Sequence, residues 1–125
     1  MSEELIAKEV FDRLADFELP VRYPNVQYGE QTEAHCRASV LPAETDSFTL
    51  AGSVKRQGII QVSIYMQQGI GDIIPRQYAD TVIQLFPRGL DMAGVRVHRQ
   101  GWASPGFIDG AWWVTPVTIP YHLFE

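Results

Sequence analysis

Cysteine is almost absent from this sequence, with Cys36 the only one in 125 residues. One thiol cannot close an intrachain disulfide, so a secreted, bridge-stapled scaffold is excluded. Long apolar runs are missing too, because no stretch approaches the roughly 18 to 20 residues that cross a bilayer. No membrane partner is expected. Positive charge is scarce, 10 Lys and Arg against 15 Asp and Glu. That balance removes the field that dominates affinity for nucleic acid and disfavours general duplex binding. The opening MSEELIAKEV is acidic where a secretory signal is basic, and synthesis and folding in a cytoplasm are expected.

What is present suits one globular domain over residues 1–125, with 46% hydrophobic side chains, enough to form a core without metal or disulfide. The charge is uneven. In the first 20 residues Glu3, Glu4, Glu9, Asp12, Asp16 and Glu18 face only Lys8 and Arg13.

Residues 2–18 read as a helix, with Ser2 as cap and Ile6, Val10, Leu14 and Phe17 at steps of 4, 4 and 3. Pro20 and Pro24 stop it, and residues 21–28 read as an extended segment leading to a sheet edge. Residues 35–41 and 48–55 look like two strands of a hairpin whose polar turn spans 42–47. Residues 58–67 alternate most clearly, with Ile60, Val62, Ile64 and Met66 on one face. A second helix over 75–86 begins at Pro75 and repeats the 4, 4, 3 stripe in Ile74, Tyr78, Val82 and Leu85. A short strand at 95–99, a Gly/Pro loop at 101–110 and a last strand at 112–123 complete the chain. Trp113, Val117, Ile119, Tyr121 and Leu123 share one face of that strand, and Pro116 and Pro120 blunt its other face. The expected fold class is α+β: two helices on one face of a four- to five-stranded, mainly antiparallel sheet, in the order α-β-β-β-α-β-β.

No catalytic, cofactor or metal site emerges. Cys36 adjoins His35, but neighbours on a strand point to opposite faces and cannot share a proton directly. Nothing in the spacing of His35, His98 and His122 requires zinc. Ser104, Asp109 and His98 supply the residue types of a nucleophilic triad, but Ser104 lacks the strained elbow that exposes such a serine. Gly69-Ile70-Gly71 has no third glycine and reads as a strand-to-helix turn rather than a phosphate cradle. The acidic row Glu9, Asp12, Asp16 reads as a solvated helix face. The surplus is aromatic and apolar: Phe48 and Leu50 on the hairpin, Trp102 and Phe107 in the loop, and Trp112 beside Trp113. The two tryptophans point to opposite faces, so at most one enters the core and the other needs a partner surface or a covering loop. Phe48, Leu50, Trp102, Phe107 and Trp112 are therefore the candidate interface residues.

The order of segments resembles the small tail terminator proteins of long-tailed bacteriophages. The matching features are the N-terminal helix leading into residues 21–25, Ala38-Ser39-Val40-Leu41-Pro42, Arg56-Gln57-Gly58-Ile59-Ile60-Gln61-Val62-Ser63-Ile64, and Gly69-Ile70-Gly71. The closing Asp109-Gly110-Ala111-Trp112-Trp113 and Pro116-Val117-Thr118-Ile119-Pro120-Tyr121 follow in order. The resemblance implies two helices against an antiparallel sheet and no enzymatic activity or cofactor. It also implies a hexameric ring of this chain with itself on the last ring of the tail tube, where it stops tube polymerisation and offers a joining surface to the head-tail connector protein. Its partners would then be other copies of itself, the tail tube protein and the connector, with DNA only passing through an acidic or neutral lumen. It would assemble in the host cytoplasm and end in the virion tail. Two other readings stay open at this point: another neck or joining protein, and a small-ligand-binding α+β domain.

Overall fold

The computed structural model describes residues 3–24, 26, 33–43, 46–47 and 54–124. Helix α1 spans Glu3–Leu14 and α2 spans Ile73–Leu85. The strands are β1 (Val21–Arg22), β2 (His35–Pro42), β3 (Asp46–Ser47), β4 (Val54–Gln67), β5 (Asp91–Met92), β6 (Val95–Arg96), β7 (Trp102–Ala103), β8 (Phe107–Asp109) and β9 (Trp112–Phe124). The α+β class holds, with antiparallel pairing everywhere except between the edge strand β1 and β2. The strand count does not hold, because nine strands, most of them two or three residues long, join one sheet among the described residues.

The frame of that sheet is β2-β4-β9, with β4 pairing β9 from Lys55↔Phe124 to Gln67↔Trp112. Its alternation is the one read from residues 58–67. Ile60, Val62 and Ile64 are fully buried, and their register partners Ile119, Val117 and Thr115, with Ala38 and Cys36 of β2, share their face. Both helices lie on this face: Ile6, Val10 and Leu14 of α1 and Ala79, Val82 and Phe86 at α2 enter one core with these strand residues.

Four local expectations change. Helix α1 ends at Leu14, and the chain turns through Ala15 N–H to Asp12 O and Phe17 N–H to Leu14 O. These tighter i→i−3 bonds bend the backbone before Pro20 reaches the sheet edge, so that Cys36 N–H donates to Pro20 O at 2.9 Å. The strand read at 48–55 and the one read at 58–67 are joined, since β4 runs unbroken from Val54 through Gly58. A Cβ at Gly58 would lie 2.6 Å from Leu41 O and 2.7 Å from the Tyr121 hydroxyl, so a glycine lets the Tyr121 ring close over the strand. Helix α2 starts two residues before Pro75, and its buried positions are Pro75, Ala79 and Val82 while Ile74 is exposed. The strand read at 95–99 is a β5-β6 hairpin, whose turn is fixed by Gly94 N–H donating to Asp91 Oδ1 at 2.7 Å.

The stretch read as a loop at 101–110 is the fifth change. It lies along the free edge of β9 as β7, paired at Trp102↔Thr118 and Ala103↔Val117, and β8, paired from Phe107↔Val114 to Asp109↔Trp112. With β6 at Arg96↔His122, β9 has three short neighbours, and the interruptions fall at Pro120 and Pro116. Pro116 O accepts from Ser104 N–H at 2.8 Å, which places the missing N–H of Pro116 on the same edge. The prolines therefore do not close that edge; they divide it into segments.

Candidate functional site

Residues paired directly across a sheet point to the same side, so the register assigns every strand side chain to a face. Opposite the helices lie Arg37 and Leu41 of β2, Ile59 and Tyr65 of β4, Trp112, Val114, Pro116, Thr118 and Pro120 of β9, and Trp102 and Phe107 of β7 and β8. Among the described residues no helix covers this side. Trp102 is 44% and Phe107 48% exposed there, and Leu41 is exposed at its rim. Three of the five candidate interface residues, Trp102, Phe107 and Trp112, thus come from different strands onto one uncovered face. Phe48 and Leu50 lie outside the described residues.

The two tryptophans separate as their alternation requires. Trp113 lies on the helix side, where its Nε1 donates to Asp72 Oδ1 at 3.4 Å and its indole rests against Gly106. Trp112, on the uncovered side, meets the His35 ring edge-on at 5.0 Å, and His35 stacks on Tyr65 at 4.9 Å. The Arg37 guanidinium sits 4.8 Å over the Tyr65 ring. This His35-Tyr65-Trp112-Arg37 cluster was not anticipated, although the parity of His35 and Tyr65 relative to the core positions of their strands already placed both on the outer face. His35 is buried, with Nδ1 3.0 Å from Glu33 O. Desolvation, and then the Arg22 and Arg37 charges, hold its imidazole below the usual value against the opposing Glu33 hydrogen bond.

The residue sets tested for chemistry do not converge. Burial pushes the Cys36 thiol up to about 12, the reverse of an activated nucleophile, and its side chain faces the core while His35 faces out. His98 stacks on His122 at 4.4 Å, Ser104 bonds beside Pro116, and Asp109 pairs with Trp112. The ten residue-to-residue steps from Trp112 to His122 span roughly 33 Å of extended chain, so the Ser104, Asp109, His98 set is strung along β9. His35 and His122 are separated in the same way, and among the described residues no group of three His, Cys, Asp or Glu could hold a metal. Gly69 and Gly71 take φ of 90° and 87°, as a strand-to-helix turn requires. Asp12 is exposed on α1, and Asp16, exposed as well, lies in the turn beyond the helix end, so the acidic row does not continue as one helix face. Among the described residues no helix is long and apolar enough to cross a membrane.

Comparison with known proteins adds two findings. A family model described as phage tail terminator protein matches residues 4–121. A solved structure whose name states no function is 30% identical, with a TM-score of 0.79 over 98% of this chain and 96% of the other. No curated protein matches.

Proposed function

The chain belongs to the phage tail terminator family, and from that premise we propose that it caps the tail tube, stops its polymerisation and presents the joining surface for the head-tail connector. The work is structural, without catalysis or cofactor: several copies, six in the proposed ring, sit on the last ring of the tube, and DNA only passes through. Assembly takes place in the host cytoplasm and the finished protein resides in the virion tail.

The observation that carries this reading is the uncovered sheet face. A monomer gains nothing from leaving Trp102 and Phe107 about half exposed on the same open sheet face as Trp112, whereas an assembling subunit buries them against a neighbour. A ligand-binding domain would draw the same aromatics into an enclosed pocket around converging polar groups. Here they are spread along β9 on an open sheet face, at the levels of Thr118, Val114 and Trp112 itself, which favours assembly over ligand binding. We assign Trp102, Phe107 and Trp112, with Phe48 and Leu50, to contacts between copies or with the tube.

Negative-stain imaging of the purified protein mixed with tail tubes tests the proposal. Density at one end of the tubes, and tubes that no longer elongate when fresh tube protein is added, is the expected result. Decoration along the tube wall, or continued elongation, overturns it.

A further inference from the structure

A second apolar surface lies at the corner where β4 passes into α2. Ile73 is 70% and Ile108 63% exposed there, with Ile70 and Ile74 beside them. Of these, Ile108 lines a groove of about 450 Å³ together with Gln68, Gly69, Gly71, Asp72 and Trp113. Its two walls are tied together, since Gln68 Nε2 donates to Gly110 O at 2.6 Å and the Trp113 indole bonds Asp72. Asp72, the only charged residue of the lining, is itself neutralised by Arg76 Nε at 2.5 Å. The groove is thus preformed, apolar and without net charge.

At the other end of β4, Ser47 pairs with Val54, and six residues join them: Phe48, Thr49, Leu50, Ala51, Gly52 and Ser53. This segment has no charge and carries two large apolar side chains. It starts at the far end of a 14-residue strand, on the order of 40 Å from the groove, so a chain cannot fill its own groove with it. A neighbouring copy can. A donor at one end of a protomer and an acceptor at the other make a head-to-tail contact, the kind that closes into rings.

We propose that the groove between Ile108 and the 69–72 turn receives the Phe48-Thr49-Leu50 segment of an adjacent copy, as the repeated contact of the ring. The inference rests on the assembly reading above and names its partner: a second copy of this chain.

Cysteines placed at both ends test it, with Leu50→Cys and Ile108→Cys in one chain, mildly oxidised at high protein concentration and again on tail tubes. The separation forbids the bond within a chain, so the expected product is a ladder of oligomers on a non-reducing gel, with peptide mapping joining position 50 to position 108. Either substitution alone should yield at most dimers. A second arm uses Ile108→Asp, exposed enough to leave folding intact, and a Phe48→Ser/Leu50→Ser variant. Each alone should lose ring-sized species in native mass spectrometry, and their mixture should recover dimers but not rings, because only one junction is intact. Absence of the 50 to 108 linkage under both conditions, or linkage of 50 to 50 only, overturns the proposal. Capping by the unmodified protein is scored separately: if it persists without that linkage, the groove assignment alone fails; if it is absent, the capping role fails.

Discussion

The two faces of the β2-β4-β9 sheet are made from the same strands, one residue apart, and they have opposite fates. Toward the helices, Ile60, Val62, Ile64, Val117 and Ile119 are fully buried, and α1 and α2 supply Ile6, Val10, Leu14 and Val82 to close the layer. Away from the helices, Trp102, Phe107, Trp112 and Tyr65 lie on a face that no helix among the described residues covers. Area removed from water stabilises by about 25 cal/mol per Å², so the first face holds the subunit together, while apolar area left exposed on the second adds nothing to the subunit's own stability. Charge follows the same division: α1 carries Glu4 and Asp12 on its solvent side, while Arg22 and Arg37 sit in register on the outer face of β1 and β2.

The largest expected effect belongs to the helix-bearing face. Ile119→Ala should lower unfolding free energy by about 2–5 kcal/mol through lost burial and a residual cavity, read as a shifted midpoint in urea at constant m value. A loss below about 1 kcal/mol would mean that the two faces are not distinct in stability. Next comes Gly106→Ala, where the new Cβ would lie 2.4 Å from Cε2 and Cζ2 of the Trp113 indole. Overpacking of about 1–3 kcal/mol and a changed tryptophan fluorescence spectrum are expected. The uncovered face should behave differently. Replacing Trp102 and Phe107 together by serine should cost about 1 kcal/mol or less in stability, checked by thermal melting, while abolishing tube capping. Unfolding of that double variant would place the pair in the core.

The smallest effect concerns the buried polar group of the uncovered face. His35 is held below its ordinary value of 6.5, so the folded state favours the neutral ring. As pH falls below about 6.5 the unfolded chain takes up this proton first, and stability declines until the depressed folded value is passed. Denaturation of the wild type at pH 7.5 and 5.5 should show that decline, and His35→Gln should remove the part of it due to this ring. An identical pH slope in both proteins would show that the cluster does not hold His35 neutral.

Most of the core could be read along the chain. The stripe Ile6, Val10, Leu14 and the alternation of Ile60, Val62, Ile64 and Met66 are periodic within a few residues, and all are buried. The stripe of α2 slipped by one position. Ile74 fits a 4, 4, 3 pattern, but α2 begins at Ile73, so its first turn lies at the exposed corner while Pro75, Ala79, Val82 and Phe86 face the sheet. Pro116 and Pro120 read as blockers of an edge, yet the chain pairs with β9 between them.

Local pattern thus established that two amphipathic helices share one sheet face, that Trp112 and Trp113 diverge, and that Cys36 and His35 cannot act together, because side-chain direction in a helix or strand repeats over two to four residues. Which distant segments become neighbours is not periodic. That Trp102, Phe107 and Trp112 share one face depends on residues 102–109 pairing back along β9 in one register, and a slip of one residue would turn Trp102 and Phe107 to the other side. The grouping of Ile108 with Gly69, Gly71 and Asp72 around the groove has the same origin. Such contacts are chosen by the free energy of the whole packed sheet, in which each register competes with every other, and only the tertiary structure shows which one prevails.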